Sequence, residues 1–290
     1  MMEKEVSDLK IRLTTLNENS AGRPGFAAEW GLSFFVEADG QTVLFDTGAS
    51  DITLRNVDRL GIKIPAGTPI VLSHGHADHT GGLGPVLRRI GKTRVIAHPA
   101  IWEKKFTQRP WEDTAADIGI PYERAELEHL GADFLLSTKP VRLSKNIWTT
   151  GEIPMVTEFE SIEPIFHVLE NGAYRPDTIP DDQALVLRSD NGLVIVLGCA
   201  HRGMINTIRH AQNITSESKV HSIVGGTHLF PKTGDQKQKA IAALHEIGVR
   251  KIGVSHCTGF DASMRLAREF GDDFFINNAG NVYEPETAAI

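Results

Sequence analysis

Apolar residues in the first part of the chain fall into short blocks bounded by turn-forming residues: Ile11 to Leu16, Leu32 to Glu37 and Thr42 to Phe45. Such blocks predict the opening strands of a sheet. The third runs straight into Asp46-Thr47-Gly48. A helix is predicted over Asp51 to Leu60, followed by a strand from Pro69 to Ser73 whose uninterrupted apolar middle suits a position covered on both faces. After glycines at 81, 82 and 84 come a short basic helix and a strand from Thr93 to Ala97, ending at His98 and Pro99. This β-loop-α-β rhythm predicts an α/β fold.

From Ile101 to about Arg142 the strand period fades and the pattern becomes mixed and helix-compatible, with Trp102, Phe106, Trp111 and Tyr122 spread through it. It reads as a helical insertion at about 100–142 in a single domain spanning 1–290. Two roles fit, a surface helical pair with its own apolar seam or a lid that shapes a pocket. Strands resume at Ile165 to Leu169, Ala184 to Arg188 and Leu193 to Leu197, the last two joined by the hairpin signal Ser189-Asp190-Asn191-Gly192. Strands near Ser222 to Val224 and Lys251 to Val254 flank a helix around Gln236 to Ile247, where Ala240, Leu244 and Ile247 recur at helical spacing. Three strands of this half lead into loops bearing His201, His228 and His256.

At 290 residues the chain is long enough to bury a large core as one compact α/β unit. Its 30 Lys+Arg against 37 Asp+Glu leave a net charge of −7, which repels a phosphate backbone, so no nucleic-acid partner is expected. No apolar run approaches the ~20 residues of a membrane span, and the opening MMEKEVSDLK is charged where a signal peptide is apolar. The two cysteines, Cys199 and Cys257, are too few for a disulfide framework and fit a reducing compartment. A cytoplasmic protein is expected, with no membrane partner and with a homo-oligomer left open.

The segment Ser73-His74-Gly75-His76-Ala77-Asp78-His79-Thr80-Gly81-Gly82 places four metal-ligand side chains within six positions, directly after an apolar strand. His74 and His76, two apart in an extended loop, can point one way, while Asp78 and His79 enter the next helix and can address a second ion. The spacing therefore suggests two divalent metal ions. Imidazole and carboxylate suit zinc best, and also iron or manganese. A lone histidine is usually a surface or core group, but four ligand types together argue against that here.

The His-x-His-x-Asp-His signature after a strand resembles that of the metallo-β-lactamase superfamily. Gly31-Leu32-Ser33 and Leu44-Phe45-Asp46-Thr47-Gly48 look like that superfamily's early strands and aspartate turn. Gly198-Cys199-Ala200-His201, Gly225-Gly226-Thr227-His228-Leu229 and His256-Cys257-Thr258-Gly259 look like the branch similar to 7,8-dihydropterin-6-methyl-4-(β-D-ribofuranosyl)aminobenzene-5′-phosphate synthases. The resemblance implies an αββα four-layer sandwich with a metal cleft at one edge between two sheets. It implies His74 and His76 as ligands of one metal, Asp78 and His79 of the other, and His256 as the closing ligand of the second site. In most relatives an aspartate follows the glycine at the end of the strand corresponding to Leu193 to Leu197, and here Cys199 stands in that place. His201, then Asp182, then Cys199 are the candidates to complete the centre. Asp46 is expected to orient a ligating imidazole. His228 is a candidate acid or base alongside Asp78, because the superfamily's tRNA-processing nucleases carry a histidine in a comparable loop; a purely supporting role has equal standing. His98 is expected to be structural.

Two adjacent divalent ions would bring the pKa of a shared water from about 15.7 to about 7. Hydrolysis of a small-molecule ester, lactone or phosphoester is therefore the expected chemistry. The branch resemblance implies a different one, a synthase that condenses a partner with a dihydropterin diphosphate. A metal-dependent ligand sensor without catalysis is the third reading. Fold and metal site do not fix a substrate.

Overall fold

The computed structural model describes residues 10–286. Its main element is a seven-stranded sheet ordered Val282–Tyr283, Arg12–Asn17, Ser33–Ala38, Gln41–Phe45, Ile70–Val71, Thr93–Ala97 and Ala132–Leu136. The first neighbours pair antiparallel and the last four strands run parallel. A six-stranded sheet faces it, ordered Phe274–Ile276, Lys251–Ser255, Val220–Gly226, Gly192–Leu197, Leu185–Ser189 and Ile147–Thr149.

Alternation along the strands divides the core. Phe34, Val36, Phe45 and Val71 of the first sheet meet Leu185, Leu187, Val194, Val196 and Val224 of the second in one buried cluster. Their immediate neighbours point outward: Phe35, Leu44 and Ile70 pack with Val57, Val86 and Leu87 from helices Ile52–Leu60 and Leu83–Ile90. On the far side, Ile195 and Ile223 pack with Ile205, Ile208, Ile241, Leu244 and Leu266 from helices Met204–Thr215, Gly234–Ile247 and Phe260–Phe270. With a period of two, each strand serves one face to the other sheet and one to a helix layer. The result is the expected αββα sandwich.

Several expected elements hold with shifted ends. The hairpin at Ser189 to Gly192 forms, with those two residues paired across an Asp190-Asn191 turn. The strand expected over Pro69 to Ser73 shortens to Ile70–Val71, because Ser73 leaves the ladder and donates its N–H to the Asp46 carboxylate instead.

The helical insertion at about 100–142 needs correction. That stretch holds one six-residue α-helix, Arg124–His129, and three strands. Ala132–Leu136 is the edge strand of the large sheet, paired parallel with Thr93–Ala97. Lys105–Thr107 and Ala116–Asp117 join Phe166–Glu170 and Ala173–Pro176 in a small four-stranded sheet. The aromatic residues do not form a seam of their own: Trp102 packs edge-on to Phe134, Phe106 to Tyr174, and the Tyr122 hydroxyl donates to the Gly81 carbonyl. The small sheet is thus sewn to the histidine loop, and Ala77 N–H donates to the Ile118 carbonyl at 2.8 Å. Among the described residues no helix is long and apolar enough to cross a membrane.

Candidate metal centre

The ends of the parallel strands bring the histidine loops together. Asp46, in the left-handed region at φ 57°, turns its carboxylate back beneath the His74–His79 loop. It accepts the Ser73 N–H and hydroxyl at 2.7 Å each, and its Oδ2 lies 2.7 Å from His79 Nδ1. That pairing places a proton on Nδ1 and turns Nε2 toward the cluster. Ser73 Oγ, 2.9 Å from His74 Nδ1, does the same for His74.

Donor atoms of His74, His76 and His201 all lie within 4.8 Å of one another, as do those of Asp78, His79 and His256. His74 Nε2 is 3.0 Å from His76 Nδ1, and His256 Nε2 is 3.2 Å from Asp78 Oδ2. Cys199 stands between the two sets. Its sulfur is 3.2 Å from His79 Nε2 and belongs to three further groupings, with His74 and His79, with His201 and His228, and with His256 and Cys257.

His201 and Cys199 are both at the cluster, whereas Asp182 belongs to none of these groupings among the described residues. Its Oδ2 accepts the Arg202 N–H at 2.8 Å beside His201, while its Oδ1 is buried without a hydrogen-bond partner. His228, also at positive φ, sets its ring 4.1 Å from that of His201, with Nε2 3.0 Å from Glu163 Oε2. His98 Nδ1 accepts the Ala100 N–H, and its Nε2 is buried without a hydrogen-bond partner.

Sequence reasoning did not single out Glu18, Asn19, Glu163 or Phe166. Glu18 accepts the His256 N–H, and Asn19 Oδ1 lies 2.8 Å from His256 Nδ1, so the remaining ring nitrogen is presented to Asp78. Phe166 lies 5.5 Å from the His76 ring and 5.2 Å from His201, closing one wall. Trp30, largely exposed, sits 5.0 Å from the His256 ring at the rim. The only advance signal for Glu18 and Asn19 is the polar run that ends the first strand. Glu163 has none, since its partners lie far along the chain.

Burial dominates the electrostatics. It pushes the His74 and His201 imidazoles well below their usual pKa, aided by neighbouring histidines, and takes His76 to about 3. These rings are neutral and carry free lone pairs. For His79 burial acts the same way, but the Asp78 and Asp46 carboxylates override it and raise the pKa to about 9. Asp78 is held well below the usual carboxylate range by His79 and His256, against its own desolvation. Burial takes Asp182 up to about 7. Burial also raises the Cys199 thiol, while Cys257 is held low against burial by hydrogen bonds from Cys199 and His228.

His76 Nε2, both ring nitrogens of His201 and His228 Nδ1 are buried without a hydrogen-bond partner. Each such atom costs about 1–3 kcal/mol when nothing satisfies it. A divalent ion accepts one lone pair from each of the neutral His76 and His201 rings, and a nitrogen, oxygen and sulfur donor set is one that zinc takes readily. The residues fit a metal centre.

Residues 31–168 match the model of the metallo-beta-lactamase superfamily. Over 282 residues the chain is 34% identical to the 7,8-dihydropterin-6-methyl-4-(beta-D-ribofuranosyl)-aminobenzene-5′-phosphate synthase of Methanocaldococcus jannaschii, covering 94% of this chain and 96% of that protein. A crystal structure described as a metal-dependent hydrolase of the beta-lactamase superfamily superposes with a TM-score of 0.80 at 30% identity, covering 94% of this chain and 98% of the other. The metallo-beta-lactamase fold protein YhfI from Bacillus subtilis, at 13% identity and a TM-score of 0.57 over 95% of this chain and 99% of the other, shares the fold.

Zinc should therefore stabilise the protein. At 100 times its dissociation constant an ion that binds only the folded state adds about 2.7 kcal/mol. Thermal melting of chelator-stripped protein should rise on adding zinc, and His74→Ala combined with His201→Ala should remove the part of that rise owed to the ion they would hold. An unchanged rise in the double variant would place the ion elsewhere.

Proposed function

The chain belongs to the metallo-β-lactamase superfamily, and on that premise we propose that it is a metal-dependent hydrolase of a small-molecule ester, lactone or phosphoester. The observation that carries this reading is the convergence of histidines from four separate loops on one buried cluster, with the neutral imidazoles of His76 and His201 left unpartnered there. His74, His76 and His201 would hold one divalent ion and Asp78, His79 and His256 another, with the Cys199 sulfur between them; zinc suits this set best. When bound, such ions supply a hydroxide nucleophile near neutral pH and polarise the group under attack.

The chain's own groups supply the rest. Asp78, ionised and beside His256, can orient the attacking water. His228 is paired with Glu163, which in turn binds Lys232. Burial opposes the His228 cation, but Cys257 and Glu163 lift its pKa to about 9, so at neutral pH it carries a proton that it can give to the leaving oxygen. Phe166 packs against the His76 and His201 rings and covers that face of the cluster. Both thiols stay reduced in the cytoplasm, where we place the protein.

A second reading, a synthase acting on a dihydropterin diphosphate, draws on the 34% identity that spans nearly the whole chain. There the same ions would stabilise the departing diphosphate, and His228 would remain the proton donor.

Metal-loaded protein should cleave some members of a panel of model phosphodiesters, esters and lactones, and lose that turnover when stripped of metal. His228→Ala should lower kcat by roughly 10²–10⁴ while leaving metal content intact. If instead the panel is inert and dihydropterin fluorescence changes on binding, the synthase reading stands in its place. Cobalt-loaded protein should also show a sulfur-to-cobalt charge-transfer band in the near ultraviolet. Cys199→Ser should abolish that band and Cys257→Ser should keep it; the reverse pattern would remove Cys199 from the centre.

A further inference from the structure

Asp181, Asp182 and Gln183 are three consecutive polar residues, each almost wholly buried, ahead of the strand Leu185–Ser189. None belongs to the groupings of metal-binding side chains, yet each reaches a ligand-bearing loop. Asp181 Oδ2 accepts the N–H of Gly75, the residue between His74 and His76, at 2.7 Å. Gln183 binds the strand end just before His74 twice, its N–H on the Ser73 carbonyl at 2.9 Å and its Nε2 on the Leu72 carbonyl at 2.8 Å. Asp182 Oδ2 accepts the N–H of Arg202, the residue after His201.

The anchor is Lys105, on the small sheet. Its fully buried ammonium binds Asp181 Oδ1 and Asp177 Oδ2 at 2.9 Å each. Asp177 Oδ1 in turn accepts the N–H of Ile179, a β-branched residue held at φ 41°. A buried ion triad of this kind adds little stability over an apolar packing of the same volume. A backbone strained at a β-branched residue is costly as well. What the arrangement does supply is a fixed charge that pins Asp181, and through it Gly75, whose missing Cβ lets the loop sit against the Ile101 carbonyl at a distance a side chain would not allow.

We propose that Asp181-Asp182-Gln183, anchored by Lys105, is a positioning rail that sets the spacing of His74 and His76 against His201. The proposal rests on the reading of those three histidines as the ligands of one ion. Metal ligands are held to their geometry by the hydrogen bonds behind them, and loosening such bonds typically costs about 10–100-fold in affinity. The rail would act through backbone, on two loops at once, rather than through the imidazoles.

The test is a cobalt(II) titration of the metal-free full chain, followed by the visible absorption of the bound ion, beside thermal melting of each variant. Wild-type protein should bind cobalt in a step that His74→Ala and His201→Ala abolish; failure of that step would sink the ligand reading itself. Given that step, Asp182→Ala and Asp181→Ala should weaken it by about 10–100-fold while leaving the step at Asp78, His79 and His256 in place. Asp182→Asn keeps an acceptor for the Arg202 N–H and should bind cobalt nearly as wild type does. The rail is overturned if the folded alanine variants bind with the wild-type constant and merely melt earlier. It is equally overturned if Asp182→Asn loses as much affinity as Asp182→Ala, which would make that carboxylate a ligand. Should Asp181→Ala not fold, the two Asp182 variants decide the matter alone, because Lys105 forms its ion pairs with Asp177 and Asp181 and not with Asp182.

Discussion

Imidazole rings can be buried only if their nitrogens find partners, and this protein buries His74, His76, His79, His201, His228 and His256 in contact with one another. Desolvation strips several of them of their protons, and hydrogen bonds behind the cluster fix which nitrogen keeps one. Asp46 does this for His79, Ser73 for His74 and Asn19 for His256. What remains is a set of lone pairs facing inward with little within the protein to receive them. A cationic centre resolves that frustration, and metal affinity and native packing are then two aspects of one arrangement.

The sandwich makes the arrangement possible. Strand ends on both sheets open at the same edge, so loops separated by more than a hundred residues, such as those of His79 and Cys199, meet there without long excursions. Neither sheet alone would bury the cluster: His74 and Asp78 come from one half, His201 and His256 from the other. The small sheet built on Lys105–Thr107 and Phe166–Glu170 closes the remaining side and carries both a wall, Phe166, and an anchor, Lys105. Strain is concentrated in the same place, since Asp46, Ala200, His228 and His256 all adopt positive φ. Side chains forced into that backbone region usually serve a site rather than the fold.

The layered fold was legible in the sequence because it depends on period: alternating or continuous apolar runs mark strands whatever their distant neighbours are. The metal signature was legible because its residues are adjacent, and His201 and His256 were legible because each ends a readable strand. Residues 100–142 were not. Strands of two or three residues carry too little period to be told from helix or loop, and Ala132–Leu136 is defined by its parallel partner rather than by its own pattern. For Asp182 sequence reports residue type and not direction: one carboxylate oxygen accepts the Arg202 N–H, and the other is buried without a partner. Glu163, Glu18 and Asn19 act across distances in the chain that no local pattern encodes.

The claim on which the account turns is that two ions sit side by side among these histidines. Crystals of protein purified without added metal, measured on both sides of the zinc absorption edge, test it most directly. Two anomalous peaks are expected, each about 2.0–2.3 Å from its ligand atoms, one among His74, His76 and His201 and one among Asp78, His79 and His256. A map with no peak in that cluster, after zinc, iron and manganese have each been supplied and sought at their own edges, would contradict it.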